Sequence, residues 1–329
     1  MWLFYIPVFF SIFVLAIRHR GLRQLSAVNP GMPNGGLIDS NKAKNLFDVQ
    51  ASIPDAVAKT GLLRASDTPS LANLEELMSE LKLNFPIILK PNSGQRGIGV
   101  SAIDNETAAR DYLSAHQSTD ILVQEYVEGE EFGVFYMREP KQLNGFVFSI
   151  THKQFPELVG DGESTLEKLI LEDPRMHYMA RFLLGQHARQ LERVPDSGEH
   201  ISMVKIGSHC RGSLFVDGDA YLTPELEMRI DEISKTIPGF YFGRYDLRVS
   251  SIDAFRRGQD LKILEVNGLT SESTNIYDPK NSLLSAYKTL FKQWNFAFKI
   301  SKQNRLNGER ISSYGEILSA VWSINRESN

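Results

Sequence analysis

A chain of 329 residues, 42% of them hydrophobic, carries enough apolar material for two packed units or one large one. A net charge of −4 and the lack of any long basic run argue against nucleic acid as a partner, while leaving room for a local basic pocket. The single cysteine, Cys210, excludes an internal disulfide framework and a cysteine-based zinc site, and fits a reducing compartment.

Residues 2–17 (WLFYIPVFFSIFVLAI) are almost wholly apolar, and Arg18, Arg20 and Arg23 follow them. A membrane-spanning helix wants about 20 apolar residues, with roughly 17 as the lower limit, so the run falls just short. Arginines after the run would leave the bulk of the chain in the cytoplasm. A cleaved signal peptide is not indicated, because basic residues before the apolar region and a small-residue site after it are both missing. Three readings stay open: a short membrane anchor, a helix lying in the membrane interface, or a helix buried in the fold. The membrane-associated readings are favoured, on the cytoplasmic face.

Residues 29–36 (NPGMPNGG) are dense in helix breakers and predict a boundary. Residues 40–50 read as a short helix carrying Lys42 and Lys44. Thr68 as N-cap and Pro69 at the first helical position predict a helix with Leu71, Leu74, Leu77, Met78 and Leu81 on its apolar face. Residues 85–103 then read as strand, glycine-rich turn, strand: Ile87, Ile88 and Leu89 end in Lys90, and Ser93, Gly94, Arg96, Gly97 and Gly99 follow. Backbone N–H groups around such glycines can converge on an anion, and the lysine can face the same anion. No Gly-Lys-Ser/Thr follows, so this is not a P-loop, and taken alone an ordinary glycine-rich hairpin explains it equally well.

Asp104 or Asn105 caps the next helix. Strands are predicted at 121–127, 132–137 and 147–151, with Lys153 just after the last. Ser164 and Glu167 have capping-box spacing, and Asp217-Gly218 carries a hairpin signal. A helix around Leu226, Ile230 and Ile233, strands at 240–249 and 261–266, and helices around 283–294 and 311–324 complete an α+β chain.

Two late segments carry the chemistry. GRYD at 243–246 and LEVN at 264–267 place polar side chains two apart, and residues two apart on a strand share a face. Glu265 and Asn267 therefore point together, and Asp246, with Arg244 on its own face, can join them from the neighbouring strand. Two carboxylates and an amide oxygen suit magnesium or manganese, leaving coordination positions for water and phosphate oxygens. A polar sheet face in water explains any one such pair. The parts complement one another, however. Lys90 with its loop and Lys153 offer phosphate donors, the oxygen trio a cation site, and Gln124, Glu125 and Glu131 flank a turn as acceptors for ribose hydroxyls.

The order of these motifs, over about residues 40–279, resembles the ATP-grasp superfamily, particularly its carboxylate–amine ligases. The resemblance implies an ATP-grasp fold of two α+β lobes gripping the nucleotide. The first lobe would occupy 37–130 and the second 131–300. An apolar segment and linker at 1–36 would stand in place of the usual N-terminal domain, and a helical tail would follow at 301–329. It implies that Lys90, Ser93, Gly94, Arg96, Gly97 and Gly99 cover the phosphates of ATP, with Lys42 as an earlier phosphate lysine. Gln124, Glu125, Tyr126 and Val127 would hold the adenine, and Glu131 the ribose. Lys153 and Arg244 would be catalytic, and Asp246, Glu265 and Asn267 would bind the metal. The implied reaction joins a small-molecule carboxylate to an amine through an acylphosphate. His209, Arg211, Ser271 and Ser273 are candidates for the substrate side. An ATP-binding regulatory module and an ATP-dependent kinase are the alternatives, and a homodimer is one assembly the chain allows.

Overall fold

The computed structural model describes residues 2–37, 42–67, 69–93, 98–204, 207 and 212–327. The chain forms two compact units, one of Met1–His152 with Asp217–Asn329, the other of Lys153–Val216. The second unit thus lies inside the span 131–300 expected for one lobe.

The first unit opens with α1 (Trp2–Arg18) and α2 (Lys42–Ser52). Its smaller sheet has the order β1-β4-β2-β3, where β1 is Thr60–Leu63, β2 Ile87–Pro91, β3 Ser101–Ile103 and β4 Ile121–Glu125. α3 (Leu71–Leu81) and α4 (Glu106–Ala115) bury Leu74, Met78, Ala109, Tyr112 and Leu113 against Ile87, Leu89, Ile121 and Val123. Side chains alternate across a strand, so Lys90 and Gln124 emerge on the opposite face. α3 starts at Leu71 rather than Pro69, because the Ser70 hydroxyl accepts the Asn73 N–H; Thr68 lies outside the described residues. Asn105, not Asp104, caps α4 by accepting the Ala108 N–H.

A second antiparallel sheet contains β5 (Glu130–Met137) and β6 (Phe146–Gln154). The chain then passes through the second unit. There β7 (Glu157–Val159) pairs with β8 (His200–Ser202), and α5 (Leu166–Glu172) and α6 (Ala180–Gln186) pack around Leu158, Ile170, Leu183 and Met203. Thr165 caps α5 by accepting the Lys168 N–H, while Ser164 donates its own N–H to Asp161, so the expected cap shifts by one residue. β9 (Leu214–Asp217) leads back. Asp217-Gly218 makes no hairpin. Gly218 keeps a negative φ of −108°, Asp217 accepts the Asp219 N–H, and a 3-10 turn at Asp219–Tyr221 feeds α7 (Pro224–Thr236).

α8 (Ile252–Arg256) separates β10 (Phe242–Val249) from β11 (Lys262–Asn267), and within the first unit the second sheet runs β11-β10-β5-β6. One face buries Phe132, Val134, Tyr136, Tyr245 and Leu247 against α2, α7 and α8. The other buries Phe135, Met137 and Phe242 against α1 and α9 (Leu283–Leu306). Further along that second face come Arg244 and Asp246. α10 (Tyr314–Glu327) ends the described chain.

The breaker segment 29–36 packs into this unit. Asn29 accepts the Tyr241 and Phe242 N–H groups and donates to the Gly35 and Phe242 carbonyls. Among the described residues, no helix is long and apolar enough to cross a membrane. α1 instead buries Val8, Leu15 and Ala16 against α9 and neighbouring segments.

Candidate active site

Lys90 lies next to the end of β2, on the face away from α3 and α4. Its Nζ donates to Gln124 Oε1 and to the Leu264 carbonyl, each at 2.9 Å. Gln124 donates in turn to Thr60 Oγ1 at 2.9 Å and to the same carbonyl at 3.2 Å. Lys42 opens α2, whose first turn is tied down by Asn92: its carbonyl accepts the Lys42 N–H and its Oδ1 the Ala43 N–H. Lys42 Nζ lies 2.8 Å from Glu265 Oε1, with Lys42 7% and Glu265 24% exposed. Two ammonium groups from different elements therefore bear on adjacent residues of β11.

Across the ladder Arg244 faces Asn267 and Asp246 faces Glu265, with an irregularity just after Asp246. Directly opposed residues share a face, so all four side chains converge. Arg244 forks onto Asp246, Nε to Oδ1 at 2.9 Å and Nη2 to Oδ2 at 3.1 Å, and Nη1 donates to the Glu272 carbonyl at 3.1 Å. Asn267 Nδ2 is 3.5 Å from Asp246 Oδ2. Gly133 on β5 opposes Asp246, and a Cβ there would come within 3.3 Å of Arg244 Cδ, so the missing side chain leaves the guanidinium its room.

Burial would raise the Glu265 pKa, but the Lys42 and Lys90 charges outweigh it and hold the carboxyl below its usual range. Burial also opposes the Arg244 cation. Asp246, helped by Glu265 and Glu272, overcomes that and raises the guanidinium pKa.

At the end of β4, Glu125 accepts the Lys59 N–H at 3.1 Å. Glu131 is buried and paired with Arg248 Nε at 3.0 Å. Arg248 also donates to the Val127 carbonyl at 2.5 Å, and its guanidinium carbon lies 5.5 Å from the Tyr126 ring centre. One arginine thus gathers Tyr126, Val127 and Glu131.

Gly99 takes a φ of +73°, and its carbonyl accepts from the Tyr112 hydroxyl at 2.6 Å. Ser93 is half-buried just past β2. Gly94, Arg96, Gly97, His209 and Arg211 lie outside the described residues. Lys153 belongs to the second unit, where its buried ammonium sits 5.9 Å from the Phe215 ring centre. Ser271 and Ser273 are buried in the loop after β11, whose backbone Gln293 of α9 grips through the Ser271 carbonyl and the Ser273 N–H, each at 3.0 Å. The Ser273 hydroxyl lacks a hydrogen-bond partner among the described residues.

Sequence reasoning passed over Thr60, Gly133, Arg248 and Glu272. For Gly133 a signal existed: it is the only glycine among the bulky residues 132–137. Among the described residues, no three His, Cys, Asp or Glu side chains group to hold a metal ion. The set on β10 and β11 is two carboxylates and an amide. Those hard oxygens fit magnesium, whose remaining positions would go to water or phosphate.

Residues 42–135 match the family model of the RimK-like ATP-grasp domain. The chain is 22% identical over 218 residues to the glutathione biosynthesis bifunctional protein GshAB of Clostridium perfringens, covering 59% of this chain and 27% of that protein. It is 27% identical over 147 residues to D-alanine–D-alanine ligase A of Bacillus cereus, covering 43% of this chain and 47% of that protein. The chain spans less than half the length of either curated relative. Among solved structures, the D-alanine–D-alanine ligase of Bacillus anthracis aligns with 82% of this chain and 70% of its own at 17% identity, with a TM-score of 0.49. The matched stretch begins at Lys42 and takes in Lys90 and residues 124–131, so that part of this chain is similar to a RimK-like ATP-grasp domain.

Proposed function

We propose that this protein is an ATP-dependent ligase joining a small-molecule carboxylate to an amine. The reading rests on the convergence of Lys42 and Lys90 on β11 at Glu265, opposite Asp246 and its partner Arg244. Lys42 and Lys90 offset triphosphate charge, residues 93–99 are assigned to the phosphates, the 124–127 strand edge to the adenine and Glu131 to the ribose, and Lys153 is assigned a catalytic role. Asp246, Glu265 and Asn267 would hold a magnesium or manganese ion, whose charge, when bound, offsets that of the β and γ phosphates. A carboxylate oxygen of the substrate attacks the γ-phosphorus, the β–γ bridging P–O bond breaks, and ADP leaves. The amine nitrogen then attacks the acyl carbon, the C–O bond to phosphate breaks, and the nitrogen loses a proton. Arg244, kept charged by Asp246, faces the developing oxyanion. Ser271, Ser273, His209 and Arg211 are assigned to the substrate side. The names of the relatives, a glutathione biosynthesis protein and a D-alanine–D-alanine ligase, support amino acids and short peptides as the pairs to try first.

The test is ADP release across carboxylate and amine pairs. Release that needs an added amine is expected, and Glu265→Ala should lower it about a hundredfold or more. Phosphate transfer without amine would favour a kinase, and ATP binding without turnover a regulatory module. Wild-type rates in Glu265→Ala would contradict the site.

The face of α1 turned away from α9 is the second part of the proposal: it lies on the cytoplasmic surface of a membrane. Leu3, Phe10, Phe13 and Ile17 are exposed there, the helix holds no acidic residue and ends on Arg18, and Arg20 follows. Such a face suits anionic lipid. Co-sedimentation with phosphatidylglycerol vesicles is expected for the full chain and lost in Phe10→Glu/Phe13→Glu. Self-association lost in the same variant, with no vesicle binding, would give the face to a homodimer instead.

A further inference from the structure

Glu272 lies five residues past the end of β11 and sits in a cluster that the chemistry above does not use. Tyr5, from α1, brings its hydroxyl to 3.1 and 3.0 Å from the two Glu272 carboxylate oxygens and to 2.6 Å from the Tyr277 hydroxyl. Tyr277 donates to the same carboxylate at 2.5 Å. Burial pushes the Tyr277 phenol well above its usual range, and the Glu272 charge adds to that, so it stays a donor at any working pH. The backbone carbonyl of Glu272 accepts from Arg244 Nη1 at 3.1 Å. One residue therefore ties the N-terminal helix to the arginine that forks onto Asp246.

The arrangement has a physical consequence. Glu272 is close enough for its charge to raise the Arg244 pKa, so its carboxylate is a natural competitor of Asp246 for the guanidinium. Two phenols engage that carboxylate, and the neutral carbonyl is what meets Arg244. The fork onto Asp246 is thereby left undisturbed, and one guanidinium edge is fixed in direction. Packing alone does not require the hydroxyls: the Tyr5 ring already sits against Phe4 and Phe9, with ring centres 5.0 and 6.1 Å away.

We infer that Tyr5 and Tyr277 are positioning residues, which clamp Glu272 and through its carbonyl aim Arg244, so that α1 serves as a wall of the active site. The clamp concerns side chains of this chain alone; only its effect on rate rests on the ligase reading.

Tyr5→Phe and Tyr277→Phe in the full chain remove one hydroxyl each and keep the ring. Hydrogen exchange of residues 269–278 should quicken about tenfold in Tyr5→Phe, with α9 unchanged. Wild-type exchange in both variants overturns the inference. In ADP release, kcat should fall about tenfold with KM for ATP unchanged, the size expected for one lost hydrogen bond. Glu272→Gln, which still accepts from both phenols, should keep kcat within about twofold, while Glu272→Ala should not. A fall confined to KM, or equal losses in Glu272→Gln and Glu272→Ala, also overturns it. Faster loop exchange in the tyrosine variants, with a wild-type chain that releases no ADP with any amine, would sink the ligase reading and leave the clamp standing.

Discussion

Glu265 is the residue on which the site turns, because burial and two cations pull its pKa in opposite directions. The cations win, so its folded pKa lies below the ordinary 4.5. A depressed carboxyl adds stability that is present above the ordinary value and lost as pH falls through the folded one. Lys42→Met removes the nearer cation and leaves burial, which raises the pKa. Urea unfolding between about pH 3 and pH 5 should then show a smaller gain in stability with pH, or a reversed one. At neutral pH the variant should lose on the order of 3 kcal/mol, the usual cost of breaking a largely buried ion pair. An unchanged pH slope would mean that Lys42 does not hold Glu265. Strand alternation made the shared face of Glu265 and Asn267 legible. The Lys42 contact was not legible, because it joins α2 to β11 and no local pattern encodes such a pairing. Caps were misread by one or two residues where a Ser and a Thr stand within two positions of each other and each is able to cap.

At the element scale, glycines mark where segments distant in sequence touch. Gly36 takes a φ of +79°, and a Cβ there would lie 2.7 Å from Gly268 Cα, just past β11. Gly36→Ala is therefore expected to destabilise the protein by about 1–3 kcal/mol, read as a lower urea midpoint with an unchanged slope. A wild-type midpoint would show that the 29–36 segment is free to move away from β11. The sequence flagged 29–36 as breakers, and in the fold the same residues form a buried seam, with Asn29 satisfying backbone groups of β10. Composition carries turn propensity and says nothing of whether a turn faces water. Asp217-Gly218 is a similar case: the dipeptide permits a hairpin, but the Asp217 side chain captures a backbone N–H two residues on and starts a helical turn instead.

For the whole molecule, the strand and helix order was largely readable, since β2, β4, β5, β10 and β11 carry short apolar runs or alternation bounded by turns. The separate unit Lys153–Val216 was not, because β6 runs straight across its start with no breaker to announce it. The apolar N-terminus was ambiguous for a related reason. Hydropathy records that 2–17 is greasy, but not that one side is buried against α9 while the other is exposed. What unites the molecule is that α2, β2, β10 and β11, drawn from distant parts of one chain, deliver cations and carboxylates to the same place. The most direct test is calorimetric titration of ATP, with and without magnesium, into the wild-type chain and Lys90→Met. Magnesium-dependent binding that weakens about a hundredfold in Lys90→Met is the expected result, in keeping with loss of a charge-assisted phosphate contact. Absence of ATP binding, or equal binding by both proteins, would contradict a nucleotide site built around Lys90 and Glu265.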